Sequence, residues 1–281
     1  QLLRRAGPLP EWWPVAGTTG YDFLGSVNGL FVDRSTSRQL TAAYSRFAGN
    51  TEPMAELSYS AKRLIMQVSM ASEITQLGLA LDRISERNRL SRDFTLANLI
   101  RAIREVIAAF AVYRTYIGDL GDEPSSRDRA CIDRALAEAK RRNPTMSASI
   151  FEFLRDALLL HHPPRSDESA RAERRHFTMR FQQTTGPVTA KGVEDTALYR
   201  YPRLVSLNEV GGDPARYGEP VASFHEKNAR RRERWPDSLV CTSTHDTKRG
   251  EDARARISVL SEIPEVWVSH VRRWRTINRL F

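Results

Sequence analysis

The feature that most constrains this chain is a stretch from about residue 52 to residue 183 in which apolar residues recur every three or four positions. This spacing places apolar side chains on one face of an α-helix. The first run predicts one long helix whose buried face is formed by Leu64, Val68, Ala71, Ile74, Leu77, Leu81 and Ile84.

The helices that follow are separated by short polar residues at their N-termini and by prolines after their C-termini. We expect Ser91 to Asp93 to cap the second helix and Ser125 or Ser126 to cap the third, because short polar side chains accept hydrogen bonds from free N–H groups. The third helix should stop at Asn143–Pro144. Two further helices complete the stretch, which we expect to form a helical insertion subdomain over residues 36–183.

The flanking segments, residues 1–35 and 184–281, lack this period and contain short apolar runs that predict strands. The clearest run, Leu239 to Ser243, is followed directly by His245 and Asp246. An apolar strand that ends in polar residues is typical of the active rim of a (β/α)8 barrel. The predicted fold class is therefore α/β, a partial TIM barrel interrupted by the helical subdomain. The other predicted strands are Leu30–Val32, Val188–Ala190 and Val205–Leu207.

Composition narrows the class of protein. Of the 43 basic residues 38 are arginine, but these are scattered and mixed with Asp and Glu, which does not favour a nucleic-acid surface. No apolar run reaches the length of a transmembrane helix. Two distant cysteines, Cys131 and Cys241, predict free thiols and a cytoplasmic location. The first five residues lack an apolar signal core, and we expect Gln1 not to be a natural start.

Two acidic motifs are candidates for chemistry. The carboxylate and imidazole of Asp246 and His245 could bind sugar hydroxyls or stabilise positive charge, although Asp246 could equally cap a helix. The pair Glu194–Asp195 precedes Tyr199, and carboxylates with tyrosine suit a carbohydrate site, but adjacent carboxylates are also typical of a helix start. No metal spacing, phosphate loop or serine-nucleophile elbow is present, so we predict neither a metal nor a cofactor.

Four sequence blocks, taken in order, resemble one family. They are PVAGTTGYDF with VNGLFVD (residues 14–23 and 27–33), TGPVTAKGVEDT (185–196), LVSLNEVGGDP (204–214) and STHDTKR (243–249). They resemble maltooligosyl trehalose synthases, enzymes of the α-amylase clan, and the chain looks like a C-terminal part of their catalytic region.

The resemblance implies that the reducing-end α-1,4 linkage of a maltooligosaccharide is converted to an α,α-1,1 linkage by a retaining mechanism. It implies that Asp246 stabilises the transition state and that His245 binds the reacting sugar. It further implies a second set of residues that hold the released glucose while it turns: Lys248, Arg249, Lys191, Glu194, Asp195 and Tyr199.

The resemblance also sets expectations about what lies outside the chain. The motifs of the nucleophile and the general acid are not found, and we expect both upstream of Gln1, so that the chain alone would be inactive. A maltooligosyl trehalose trehalohydrolase is implied as a functional partner, with no nucleic acid or membrane. Two alternatives stay open: an amylase-clan α-glucan hydrolase, and a non-catalytic helical binding module.

Overall fold

A computed structural model of the chain describes residue 9 and residues 13–49, 52–87, 89–118, 123–164 and 166–279. Regular structure in these ranges is helical. The α-helices are α1 (Tyr21–Leu30), α2 (Ser37–Ala48), α3 (Met54–Val68), α4 (Ala71–Glu86), α5 (Leu96–Ala109), α6 (Ser126–Arg142), α7 (Ala148–Leu158), α8 (Glu168–Thr189), α9 (Val221–Arg234), α10 (Glu251–Ser258) and α11 (Pro264–Asn278).

The described residues pack as two units. The central unit comprises Ser58–Thr196, and the terminal unit comprises the described residues up to Leu57 together with those from Ala197 onward. Each unit is described on its own below.

The central unit is built around one large apolar core to which α4, α5, α6, α7 and α8 contribute. Phe151, Phe177 and Phe181 are among its largest fully buried side chains. Burying a side chain of this size contributes about 1.5–3 kcal/mol, so these residues are a main source of stabilisation in this unit.

Helix starts in the central unit follow local capping chemistry. The Ser125 hydroxyl accepts a hydrogen bond from the Asp128 amide at 3.1 Å, which confirms the predicted cap of α6. The cap of α5 is Thr95, whose hydroxyl accepts from the Asn98 amide at 3.3 Å. The predicted cap at Ser91 to Asp93 was therefore wrong by a few residues, because a second polar residue lies closer to the apolar run.

The predicted single helix through residues 64–84 is broken. Helices α3 and α4 meet at an angle of 86°, and the amides of Ser69 and Met70 both donate to the Ile65 carbonyl. Because of this break, Leu64 and Val68 are 46% and 65% exposed instead of buried. The spacing of apolar residues predicted which residues are helical, but it did not predict the break between α3 and α4.

The terminal unit also contains buried apolar side chains, among them Leu24, Leu40 and Leu57. A buried cluster of Val32, Leu204 and Leu207 packs against Ile257 and Leu260. Helix α9 contributes no buried residue.

The prediction of a partial (β/α)8 barrel was wrong, since the described residues form no strand. The run from Leu239 to Ser243 is irregular, and Leu239 and Val240 are 63% and 59% exposed. Its amide contact is a single hydrogen bond from Leu239 to the Thr18 carbonyl, at 3.2 Å. A strand needs a ladder of such bonds to a neighbour.

The other three predicted strands lie at helix ends or in a helical turn, and Phe31 and Val32 are irregular residues after α1. Leu30 ends α1. Val188 and Thr189 complete α8. The segment Val205–Leu207 is a 3₁₀ turn. A short apolar run does not distinguish a strand from a buried helix end.

Within the described ranges, no single helix is both long and apolar enough to span a membrane. The bent pair α3 and α4 meets the length and composition criteria only when the two helices are taken together.

Candidate functional site

The STHDTKR block forms a tight turn between the irregular 239–243 run and α10. The Thr244 carbonyl accepts hydrogen bonds from the Thr247 amide at 3.3 Å and from the Thr247 hydroxyl at 2.8 Å. The Asp246 amide donates to the Thr244 hydroxyl at 3.2 Å. These bonds hold the backbone so that His245 and Asp246 project from the turn.

The Asp246 carboxylate is partnered by a tyrosine from the first sequence block. The Tyr21 hydroxyl donates to Asp246 Oδ2 at 2.9 Å. His245 Nε2 lies 3.4 Å from the same oxygen, and the two side chains are 86% and 51% exposed for His245 and Asp246. The pair therefore presents a carboxylate and an imidazole to solvent.

Tyr21 itself is buried, and burial raises its pKa. A hydrogen bond from Thr244 acts in the opposite direction, while the bond to Asp246 and its charge add to the rise. The hydroxyl therefore stays protonated at neutral pH and acts as a donor to the carboxylate.

Glycines allow the first block to approach this region closely. Gly20 adopts a left-handed conformation with φ of 91°, and a Cβ there would lie 2.8 Å from the Cys241 sulfur. At Gly17 a Cβ would lie 1.9 Å from the Ser238 hydroxyl oxygen. The lack of a side chain at Gly17 and Gly20 therefore lets this sequence pack against residues 238–241 just before α1 starts at Tyr21.

Lys248 and Arg249 follow Asp246 in the same turn. The Lys248 ammonium lies 5.6 Å from the centroid of the Tyr199 ring. One Arg249 nitrogen, Nη1, donates to the Val205 carbonyl at 3.4 Å. The Tyr199 ring is largely exposed, so it offers an apolar face beside a cation. Rings and cations together suit contact with a sugar.

A buried carboxylate from the LNEVGG block lies behind the turn. Glu209 accepts hydrogen bonds from the backbone amides of Lys248 at 2.7 Å and Arg249 at 2.9 Å. Burial raises the pKa of Glu209, and the two amides together with Arg254 and Arg249 act in the opposite direction.

The KGVED residues lie in the central unit, where α8 continues as a π-helical turn over Ala190–Glu194. Such turns are rare and are frequent at functional sites. Lys191 Nζ lies 2.9 Å from Asp195 Oδ2, and both side chains are exposed. The Glu194 carboxylate is buried and accepts a hydrogen bond from the Tyr113 hydroxyl.

The structure thus brings five of the predicted site residues together in the terminal unit: His245, Asp246, Lys248, Arg249 and Tyr199. Lys191, Glu194 and Asp195 share one helical turn of the central unit. The roles that the resemblance implies for all eight stay predictions.

Sequence analysis did not select Tyr21, Glu209 or Arg254. All three lie within or beside the quoted blocks, but their contacts join positions 39 to 225 residues apart. Spacing along the chain gives no signal for such contacts. Membership of a block was the one available indication for Tyr21 and Glu209.

Among the residues that the structure describes, no group of three or more His, Cys, Asp or Glu side chains could hold a metal ion. His161, in the His161–His162 pair, contacts Asp156 at 3.0 Å and Arg129 at 3.3 Å. These contacts tie the histidine to the end of α7 and to α6.

Comparisons with known proteins place the chain as one region of a longer synthase. No family model matches it. A protein of Mycobacterium tuberculosis (strain H37Rv) is 35% identical over 258 residues, which is 92% of this chain but 30% of that protein. The chain therefore spans about 30% of the length of the curated relatives it matches.

The synthase in question is maltooligosyl trehalose synthase, and the chain is homologous to one region of it. The mycobacterial relative carries that name provisionally. The structure of the Arthrobacter ramosus maltooligosyltrehalose synthase is 36% identical, with a TM-score of 0.78 over 94% of this chain and 31% of that one. A Sulfolobus tokodaii structure of the same name, described as hypothetical, is 30% identical with a TM-score of 0.71. The resemblance stated from the four blocks is confirmed.

Proposed function

We propose that this chain is part of an intramolecular transferase of trehalose biosynthesis. The proposed reaction converts the reducing-end α-1,4 linkage of a maltooligosaccharide to an α,α-1,1 linkage. The observation that carries the proposal is the match to the Arthrobacter ramosus synthase, 36% identical over 94% of this chain with a TM-score of 0.78.

In this proposal Asp246 stabilises the transition state. Retaining glycoside transfer passes through a state in which positive charge develops on the sugar ring. A carboxylate fixed nearby binds that state more tightly than the neutral ground state, which lowers the barrier. The bond from Tyr21 supports this role because it orients one oxygen of Asp246 and leaves the side chain half exposed. His245 would bind hydroxyls of the same sugar.

The second step of the proposed reaction needs a site that retains the released glucose while it turns. Hydroxyls are bound by charged donors and carboxylate acceptors, and ring faces by aromatic side chains. Tyr199 and Lys248 offer such a combination in the terminal unit. We propose that Arg249 acts with them. For Lys191, Glu194 and Asp195 of the central unit, the proposal that they bind the same glucose rests on the family resemblance alone.

The chemistry conserves atoms and consumes no water. One glycosidic bond breaks as a carboxylate nucleophile takes the sugar and an acid protonates the leaving oxygen. The anomeric hydroxyl of the turned glucose then attacks the covalent intermediate, gives its proton back to the deprotonated acid and releases the nucleophile. We assign neither the nucleophile nor the acid to any carboxylate of this chain. We also propose a cytoplasmic location and a trehalohydrolase that consumes the product.

The test uses this chain alone and a chimera in which it replaces the matching region of the Arthrobacter ramosus synthase. With maltopentaose we expect no loss of reducing ends from the chain alone and sustained loss from the chimera. Asp246→Asn in the chimera should lower kcat by several orders of magnitude, because the lost charge acts in the transition state.

The matched control is Asp237→Asn, an exposed carboxylate near the same run, which should leave kcat unchanged. Sustained loss of reducing ends with the isolated chain would contradict the proposal that the nucleophile and the general acid are not carboxylates of this chain. A folded chimera without activity, or an active one that tolerates Asp246→Asn, would contradict the proposed role.

A further inference from the structure

Glu209 and Arg254 form a buried ion pair in the terminal unit. Glu209 Oε1 lies 3.8 Å from Arg254 Nη1, and the side chains are 1% and 3% exposed. Each carboxylate oxygen accepts one backbone amide, from Lys248 and from Arg249. On the arginine, Nη1 donates to the Arg249 carbonyl at 2.8 Å and Nη2 donates to the Thr242 carbonyl.

These bonds fall at the two ends of one segment, Thr242–Arg249. The guanidinium joins the carbonyl at its start to the carbonyl at its end, and the carboxylate fixes the amides of its last two residues. Between these points lie His245 and Asp246. Moving a charged pair out of water is costly, and hydrogen bonds to both partners are needed to offset that cost. Here those bonds are directed at the backbone of a single loop.

We infer that Glu209 and Arg254 are positioning residues that fix the Thr242–Arg249 segment in the conformation that presents Asp246 to a sugar. The inference rests on the proposed function for its purpose, but the positioning itself is a property of the loop. Neither buried side chain is itself expected to touch substrate.

Substitutions at either partner should release the loop. In Glu209→Gln one acceptor oxygen becomes an NH₂ group that faces a backbone N–H, so one of the two amides loses its partner. Arg254→Lys keeps the charge but replaces a planar fork by a single ammonium, which cannot reach both carbonyls in the same geometry. Matched controls are Glu262→Gln and Arg256→Met, which change exposed side chains close by in the sequence.

The measurement is hydrogen–deuterium exchange on the intact 281-residue chain without sugar. We expect peptides covering residues 242–250 to exchange at least about tenfold faster in Glu209→Gln and Arg254→Lys, which corresponds to a loss of roughly 1.4 kcal/mol of local protection. Peptides of α5 in the central unit should keep their rates, as should both controls. The double variant should be no faster than the faster single variant, since both act through one element.

Unchanged exchange over residues 242–250 in both variants would overturn the inference. If Glu209→Gln unfolds the whole chain, so that α5 also exchanges faster, the inference is tested with Arg254→Lys alone. Faster exchange confined to residues 242–250 in that variant supports the positioning role. Exchange equal to that of the parent chain refutes it. Maltopentaose affinity is measured as a separate arm. A parent chain that binds no maltopentaose would count against the proposed function but not against the positioning role. The two are separable because hydrogen–deuterium exchange is measured without sugar.

Discussion

Gly192 shows how a single residue shapes the KGVED motif. A Cβ at this position would lie 2.9 Å from the Lys62 Cα and 3.0 Å from the Lys62 nitrogen. Both are backbone atoms, which cannot move aside as the end of a flexible side chain could. Lys62 is itself buried and donates through Nζ to the Phe110 carbonyl at 2.6 Å. The glycine therefore allows α3 to pack directly against the π-helical turn.

We predict that Gly192→Ala destabilises the central unit by about 1–3 kcal/mol, the usual range for forcing a methyl group into a filled site. The measurement is chemical denaturation followed by circular dichroism. The matched control is Gly25→Ala in α1, where the nearest atom to the new Cβ is 3.9 Å away. That change should raise stability by up to about 1 kcal/mol, because alanine is the better helix former. Equal stability of Gly192→Ala and the parent would contradict the packing explanation.

At the same scale, the sequence identified exposed site residues better than the groups behind them. His245, Asp246 and Lys248 are adjacent in one motif, so their proximity needed no fold. Tyr21 lies 225 positions from Asp246, and Glu209 lies 39 from Lys248. These contacts form only when distant loops pack together in the folded chain. Neither the periodicity of apolar residues nor their spacing predicts such packing.

Helices α1 and α9 are joined by a charged contact. Asp22 in α1 accepts hydrogen bonds from the Thr18 hydroxyl at 2.6 Å and from Arg231 Nη2 in α9 at 2.8 Å. The Arg231 guanidinium also lies 5.2 Å from the Phe23 ring centroid. Burial opposes ionisation of Asp22, but the bonds from Arg231 and Thr18 outweigh it and lower its pKa.

The lowered pKa gives a defined pH dependence. A carboxyl group whose pKa is lower in the folded than in the unfolded chain stabilises the fold at pH values above its ordinary pKa, which is 3.8 for Asp22. That contribution is lost as pH falls through the lower, folded value. We predict that Arg231→Gln raises the pKa of Asp22, which carboxyl NMR titration measures. The same substitution should lower the free energy of unfolding at pH 7 by about 1 kcal/mol or less.

The control for this experiment is the neighbouring Arg230→Gln. Arg230 pairs with Glu226 at 2.5 Å within α9, so its loss should leave the titration of Asp22 unchanged. The stability difference between Arg231→Gln and the parent should narrow as pH falls below 3.8. A difference that is constant with pH would show that Arg231 acts through packing on Phe23 instead of through charge.

Among the elements, helices were predicted well and their interruptions poorly. The period of the 52–183 stretch identified the helices of the central unit, and the cap at Ser125 was correct. The 86° turn between α3 and α4 was missed, because Ser69 and Met70 carry no glycine or proline signal. Apolar side chains keep the helical spacing on both sides of that turn, at Leu64 and Val68 in α3 and at Ala71 and Ile74 in α4.

For the whole molecule, the error in fold class has a physical cause. Apolar runs such as Leu239–Ser243 were interpreted as barrel strands, yet a strand exists only when a neighbour supplies a ladder of hydrogen bonds. Within the described residues this run receives a single backbone bond, at Leu239. Recognition of the family depended on side-chain motifs and was correct, whereas the fold class inferred alongside it was not.

The predicted order of helices and loops within the helical subdomain can be tested by proteolysis. We predict that a protease of broad specificity, such as proteinase K, first cuts between Gly121 and Ser126 or between Pro163 and Ser169, where glycine, proline and serine interrupt the helical pattern. Cuts within α5 and α7 should come late, because their apolar faces are fully buried. Phe151→Ala serves as the control for sensitivity, since loss of a side chain only 1% exposed costs about 3–5 kcal/mol and should make cuts inside α7 early. First cuts within α5 or α7 of the parent chain would contradict the helical organisation of the central unit.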